Sequence, residues 1–127
     1  MPNKFTRWYV NDLGKGSEFL SADWCDIFIA WVAEQAGVRK QVGTFAYTPD
    51  HANWFASKGR WGTTPKRGAI VFFDWQGGKA RSGIDHVGIV YQVNRDGTIT
   101  TIEGNNMNQV VKKTRSSSLI VGYGYWS

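Results

Sequence analysis

The sequence predicts an α+β domain, with helices first and a run of antiparallel strands after them. Two patterns carry this expectation. In the first half, Phe28, Trp31 and Val32 fall at i, i+3, i+4 spacing with Trp24 one turn earlier, the stripe of a helix facing a core. From Pro65 onward the apolar residues gather into short runs bounded by turn residues: Ala69-Ile-Val-Phe-Phe73, Asp85 to Val93, and Thr98 to Glu103. Helices grouped ahead of consecutive strands produce segregated layers around one core.

In chain order, residues 3 to 13 read as a short helix that stops near Gly14-Lys-Gly16. Ser21-Ala-Asp23 offers side-chain oxygens to cap a second helix, over about Trp24 to Gln35, which Gly37 ends. Residues 38 to 48 read as irregular. Thr48-Pro49-Asp50 places a proline in the first turn of another helix, through about Ser57. Two strands then flank the turn Asn94-Arg-Asp-Gly97, and Lys113 and Ile120 to Tyr125 are candidates for more.

The bulk numbers narrow the classes. With 127 residues and 42% apolar content, the chain is expected to be one domain, 1–127, with a real core. No stretch approaches the roughly 20 apolar residues of a membrane span. The first residues lack the apolar region of an export signal, so the expected location is the cytosol, an alternative export route, or a larger exported protein. A net charge of +5 suits an anionic polymer or a solvated surface. The basic residues are scattered, Lys112-Lys113-x-Arg115 and Lys66-Arg67 being the densest runs, which argues against a nucleic-acid partner. A single cysteine excludes an internal disulfide, so the core must hold the fold.

That cysteine, Cys25, lies just inside the start of the second helix, where unpaired N–H groups and the positive dipole end favour a thiolate. Taken alone, it reads equally as a small buried residue. Of the two histidines, His51 sits near the start of a helix and His86 begins a strand. The hairpin singles out His86. If Arg95-Asp96 is a two-residue loop, facing residues sum to 191. His86 then opposes Asn105, Gly88 opposes Glu103, and His86, Glu103 and Asn105 converge on one face, Gly88 leaving space for the glutamate. If Arg-Asp-Gly is instead a three-residue loop, the sum becomes 192. Glu103 then turns away unless a compensating bulge restores the register. A zinc site from Cys25, the histidines, Asp23 and Asp26 is the rival use of these residues, but no short ligand spacing supports it, and no metal or cofactor is expected.

The blocks around these residues resemble one family. Trp24-Cys25-Asp26-Ile-Phe-Ile-Ala-Trp31 looks like the nucleophile helix of CHAP domains, the cysteine, histidine-dependent amidohydrolases/peptidases. Pro65-Lys-Arg-Gly68-Ala-Ile-Val-Phe-Phe73, His86-Val-Gly-Ile-Val90 and Ile102-Glu103-Gly104-Asn105 resemble the segments that follow it, in the same order. The resemblance implies a papain-like (NlpC/P60-like) fold, with N-terminal helices packed on an antiparallel sheet. It implies amide cleavage in bacterial peptidoglycan, as in phage lysins and actinobacterial wall hydrolases. By position it makes Cys25 the nucleophile, His86 the general base and acid, Glu103 the orienting residue and Asn105 a support for the histidine. Trp24 stands where many members have Gln, and Ala69 where many have Asp. The acidic loop with which some members bind calcium is not reproduced, so no calcium is expected. Trp24, Tyr47, Trp54 and Trp75 are the aromatic candidates for a substrate groove, and a monomer is expected. The rival readings are a non-catalytic wall-binding module, a nucleic-acid binder and a papain-like acyltransferase.

Overall fold

The computed structural model describes residues 2–106 and 109–127, with the side chains of residues 105 and 106 outside the description. Four helices precede the main sheet: α1 (Lys4–Asn11), α2 (Cys25–Gln35), α3 (Arg39–Val42) and α4 (Thr48–Ser57). Short 3-10 turns occupy Ser17–Ser21, Arg81–Gly83 and Ser117–Leu119. The strands are β1 (Trp61–Gly62), β2 (Ile70–Phe73), β3 (His86–Val93), β4 (Ile99–Asn106), β5 (Gln109–Arg115) and β6 (Ile120–Gly124). They form one antiparallel sheet in the order β1-β6-β2-β3-β4-β5. The α+β expectation holds, helices first.

Local chemistry explains the helix ends. Asn3 caps α1 by accepting from the Phe5 and Thr6 amides, while Thr6 Oγ1 accepts from the Asn3 amide. Pro49 lies in the first turn of α4 as expected. The cap of α2 differs from expectation: its N-cap is Trp24, and no side chain makes the cap hydrogen bond. Residues 38 to 48 also hold more order than expected, since α3 makes a single turn there. The two-residue strand β1 has no signal of its own and exists through pairing with β6.

Strand alternation splits the core in two. Ile70 and Phe72 of β2 and Val87 of β3 face the helices, packing with Phe5, Cys25, Phe28, Ala33 and Phe55. Val71 and Phe73 face the other way, with Val90, Ile99, Ile120 and Tyr123. Helix α2 is the central element, with Cys25 through Ala30 and Ala33 all buried. Each large apolar side chain withdrawn in this way stabilises the fold by about 1.5–3 kcal/mol.

The β3–β4 hairpin determines the site, and its turn corrects one assumption. Asn94 N–H bonds the Thr98 carbonyl at 2.9 Å and Gly97 N–H bonds the Asn94 carbonyl at 3.3 Å. The loop is therefore Arg95-Asp96-Gly97, three residues, with Gly97 at φ 87°, a conformation that suits glycine. Beside the turn, Val93 faces Ile99 and Gln92 faces Thr100, a sum of 192. The register then shifts between Val90 and Gln92, leaving Tyr91 as an extra residue, and Val90 faces Thr101 and Ile89 faces Ile102 at 191. The bulge restores the register that brings Glu103 to the side of His86.

Candidate active site

Glu103 is fully buried and its carboxylate is saturated with donors. His86 Nε2 lies 2.8 Å from Oε1. Arg115 of β5 grips the carboxylate with two bonds, Nη2 to Oε1 at 2.7 Å and Nε to Oε2 at 2.9 Å. Thr101 Oγ1 donates to Oε2. Burial alone would raise the carboxyl, but the bonds from Arg115, His86 and Thr101 outweigh it and lower its pKa to about 2. An ionised carboxylate cannot donate, so the His86 nitrogen facing it must carry the proton. In neutral His86, therefore, Nδ1 holds the lone pair and is the basic atom. Gly88 makes this possible: a Cβ there would stand 2.8 Å from Glu103 Cγ.

Cys25 arrives from the opposite side. It begins α2, and Gly104 lets β4 approach that helix closely, since a Cβ at Gly104 would stand 2.8 Å from both Phe28 and Trp24. The backbone amides of Val87, one residue beyond His86, and of Asp26 favour the charged form of the Cys25 sulfur, which places it near them. The thiol therefore sits against the backbone at the start of β3. Burial pushes it up to about 12, and the Asp26 and Asp23 carboxylates push the same way against the two amides. Near neutral pH the resting group is a thiol, and a thiolate forms only as a proton leaves for a base.

The His86 ring is covered by Trp75, stacked at 5.1 Å, and flanked by Phe73 at 5.7 Å. Asp85 holds Trp75 in place by accepting its backbone N–H at 3.1 Å. The Arg115 guanidinium lies 4.9 Å from the Trp75 ring centre, so a single arginine braces both the carboxylate and the indole. Next to the start of α2, a cleft of about 430 Å³ is lined by Tyr9, Phe19, Asp23, Phe45, Tyr47 and Asp50. A larger cleft, near 580 Å³, lies beside Arg60, Pro65, Lys66 and Tyr125, and none of the expected site residues lines it.

Of the expected catalytic residues, His86 and Glu103 are in direct contact, and Cys25 packs near Val87, the residue that follows His86 on β3. Asn105 lies on β4, and its side chain is outside the description. Among the groove candidates, Trp75 covers the histidine and Tyr47, 62% exposed, lines the cleft that reaches Asp23. Trp54 is half-buried against Phe45 and Phe55. Trp24 is a correction. It is 4% exposed and stacked on Phe5 at 5.1 Å, so its ring packs the interior and presents no face for a substrate.

Sequence reasoning missed Arg115 and the pair Asp26–His51. Arg115 carried a usable signal, because β5 pairs Thr101 with Lys113, which puts residues 99, 101, 103, 113 and 115 on one face. Asp26 and His51 meet across helices, and no spacing rule reaches that far. Their bond takes up two of the five residues of the imagined zinc set, and among the described residues no three metal-ligating side chains converge.

The CHAP domain family matches residues 6–105. A search of curated proteins finds no match. Among solved structures, an N-acetylmuramoyl-L-alanine amidase from Staphylococcus aureus shares the fold at a TM-score of 0.59 and 22% identity. The alignment covers 80% of this chain and 30% of that one.

Proposed function

The chain belongs to the CHAP domain family, and from that premise we propose that it is a peptidoglycan hydrolase that cleaves an amide bond through Cys25, His86 and Glu103. The observation that carries the proposal is the contact of Glu103 with His86 Nε2, with the Cys25 sulfur near the amide of the very next residue. This is the layout of a nucleophile, a base and an orienting group.

In the proposed cycle, His86 Nδ1 takes the thiol proton as Cys25 Sγ attacks the amide carbonyl. The raised thiol favours this coupled transfer over a standing ion pair. The developing oxyanion is stabilised by backbone N–H groups at the uncapped start of α2, that of Cys25 first. The His86 imidazolium returns its proton to the departing amine, leaving an acyl thioester on Cys25. Water then gives a proton to Nδ1, attacks the thioester and releases the carboxylate, restoring the thiol. Glu103 keeps the ring in one tautomer throughout, and Asn105 supports the histidine from the position its family match implies.

Tyr47 and the neighbouring cleft are the proposed entry for the peptide, and Trp75 the wall beside the base. The bond is either that between muramic acid and L-alanine or one within the peptide. The proposed setting is the bacterial cell wall, as the catalytic domain of a phage endolysin. The test is wall lysis by purified protein against its Cys25→Ala and Cys25→Ser variants, with mass spectrometry of the released muropeptides to identify the bond. Lysis by Cys25→Ala at the wild-type rate removes the mechanism. One observation favours the wall-binding reading, the burial of the thiol. That reading expects retention on sacculi with no new amines released.

A further inference from the structure

Behind the nucleophile lies a second histidine that the proposed cycle does not use. His51 and Asp26 are both fully buried. His51 Nδ1 lies 2.7 Å from Asp26 Oδ1, and Nε2 lies 2.6 Å from the Val42 carbonyl oxygen. With Asp26 ionised, both neighbours are acceptors, whereas a neutral imidazole has one N–H. It would have to point a lone pair at one of these oxygens, at a distance that only a donor satisfies. The doubly protonated ring satisfies both.

The surroundings fit a fixed cation. Phe45 and Phe55 stack on the ring at 4.7 and 5.1 Å, and Trp54 and Phe72 complete the enclosure. Gly43 (φ 94°) closes the side by Nε2, where a Cβ would stand 3.2 Å from that nitrogen. Among the described residues Asp26 Oδ2 has no hydrogen-bond partner, so the imidazolium is what balances this carboxylate. The groups facing the pair are Asp26 itself from α2, the Val42 carbonyl at the end of α3, and Tyr9 of α1, whose phenol burial and Asp26 push up. Asp26 is also the residue after Cys25, and its charge opposes a thiolate there.

We propose that His51 is a positioning residue, held as a buried imidazolium, that cancels the charge of Asp26 beside Cys25 and pins the first turn of α2 to α3 and α4. The reason lies in the juxtaposition. Left uncancelled, the carboxylate would oppose formation of the thiolate at the adjacent residue, and α2 would lose its tie to Val42 and α4. This deepens the reading of Cys25 as nucleophile and rests on it.

The experiment has two readouts, and neither needs a cell wall. In ¹⁵N-labelled protein at pH 8, both His51 ring nitrogens should show the protonated signature, and a neutral tautomer at pH 7 overturns the proposal. The rate of Cys25 alkylation by iodoacetamide at pH 8 should fall about tenfold in His51→Gln, one pKa unit of thiolate population. In Asp26→Asn/His51→Gln, where both charges are gone, it should return to within about threefold of wild type. An unchanged rate in folded His51→Gln overturns the electrostatic role. If His51→Gln does not fold, the double variant decides: a wild-type-like rate upholds the role and a tenfold deficit overturns it. A protein that keeps this coupling yet lyses no walls would fail the hydrolase reading and not this one.

Discussion

The two histidines make a natural comparison, because each is bonded to a fully buried carboxylate at nearly the same distance, 2.7 Å for His51 and 2.8 Å for His86. What differs is who balances the carboxylate. Glu103 has Arg115 on both its oxygens, so its charge is met before His86 is considered. Among the described residues, the Asp26 carboxylate has a side-chain partner only in His51. Asp26 and the Val42 carbonyl hold the second histidine at both ring nitrogens as the proposed cation, whereas the first has its Nε2 on Glu103. On the proposed reading, a carboxylate beside a histidine yields a fixed charge or a base according to whether an arginine stands behind it.

The largest expected effect comes from spoiling the working base. Glu103→Gln keeps the volume but removes the charge that orients His86, and kcat for wall hydrolysis should drop about 10³-fold. The variant should still melt cooperatively, a few degrees lower, as read by calorimetry. Next comes Arg115→Met, which makes Glu103 resemble Asp26. With the arginine gone, the carboxylate draws positive charge onto its histidine, so the acid limb of kcat/KM against pH should move upward, with a loss of about 10- to 100-fold at pH 7. A profile that keeps its shape would show that Arg115 only packs.

The comparison also predicts opposite responses of stability to pH. His51 is raised above its ordinary value because Asp26 and the Val42 carbonyl outweigh the burial that opposes its charge. Its contribution is whole below about pH 6.5 and fades as pH rises through the folded value. Glu103 is lowered from 4.5 to about 2, so its contribution is present above 4.5 and is lost as pH falls toward 2. Melting temperature measured from pH 2 to 11 should fall at both ends. The alkaline fall attributable to His51 should be absent in Asp26→Asn/His51→Gln. The smallest effect belongs to Trp75→Ala, which uncovers His86 without touching its bond to Glu103. A change of about three- to tenfold is expected, mostly in KM.

Most of the architecture was legible because periodicity and turn residues are local. The stripe of α2, the proline opening α4 and the apolar run of β2 each announced themselves within a dozen residues. The contact of His86 with Glu103 was legible too, through parity along a hairpin. The turn was the weak point: a Gly97 able to take positive φ permits the longer loop, and only the extra residue at Tyr91 brings the strands back into step. What stayed hidden depends on distant packing. The burial of Trp24 follows from Phe5 of α1 lying against it, and the Asp26–His51 bond spans two helices. Neither leaves a trace in sequence spacing.

The paired irregularities of the hairpin have a mechanical consequence. The turn adds one residue and Tyr91 absorbs it, so the two ends of this ribbon are decoupled, much as an expansion joint isolates a bridge deck from its abutment. Deleting Tyr91 should leave Val90 opposite Thr101 and the chemistry in place, since the remaining residues close into an unbroken ladder. Deleting Val90 also uses up the extra residue and keeps the histidine in step with its glutamate, but it moves Tyr91 into the buried place of Val90. Tolerance to a deletion should therefore fall between Tyr91 and Val90 through packing and not through register.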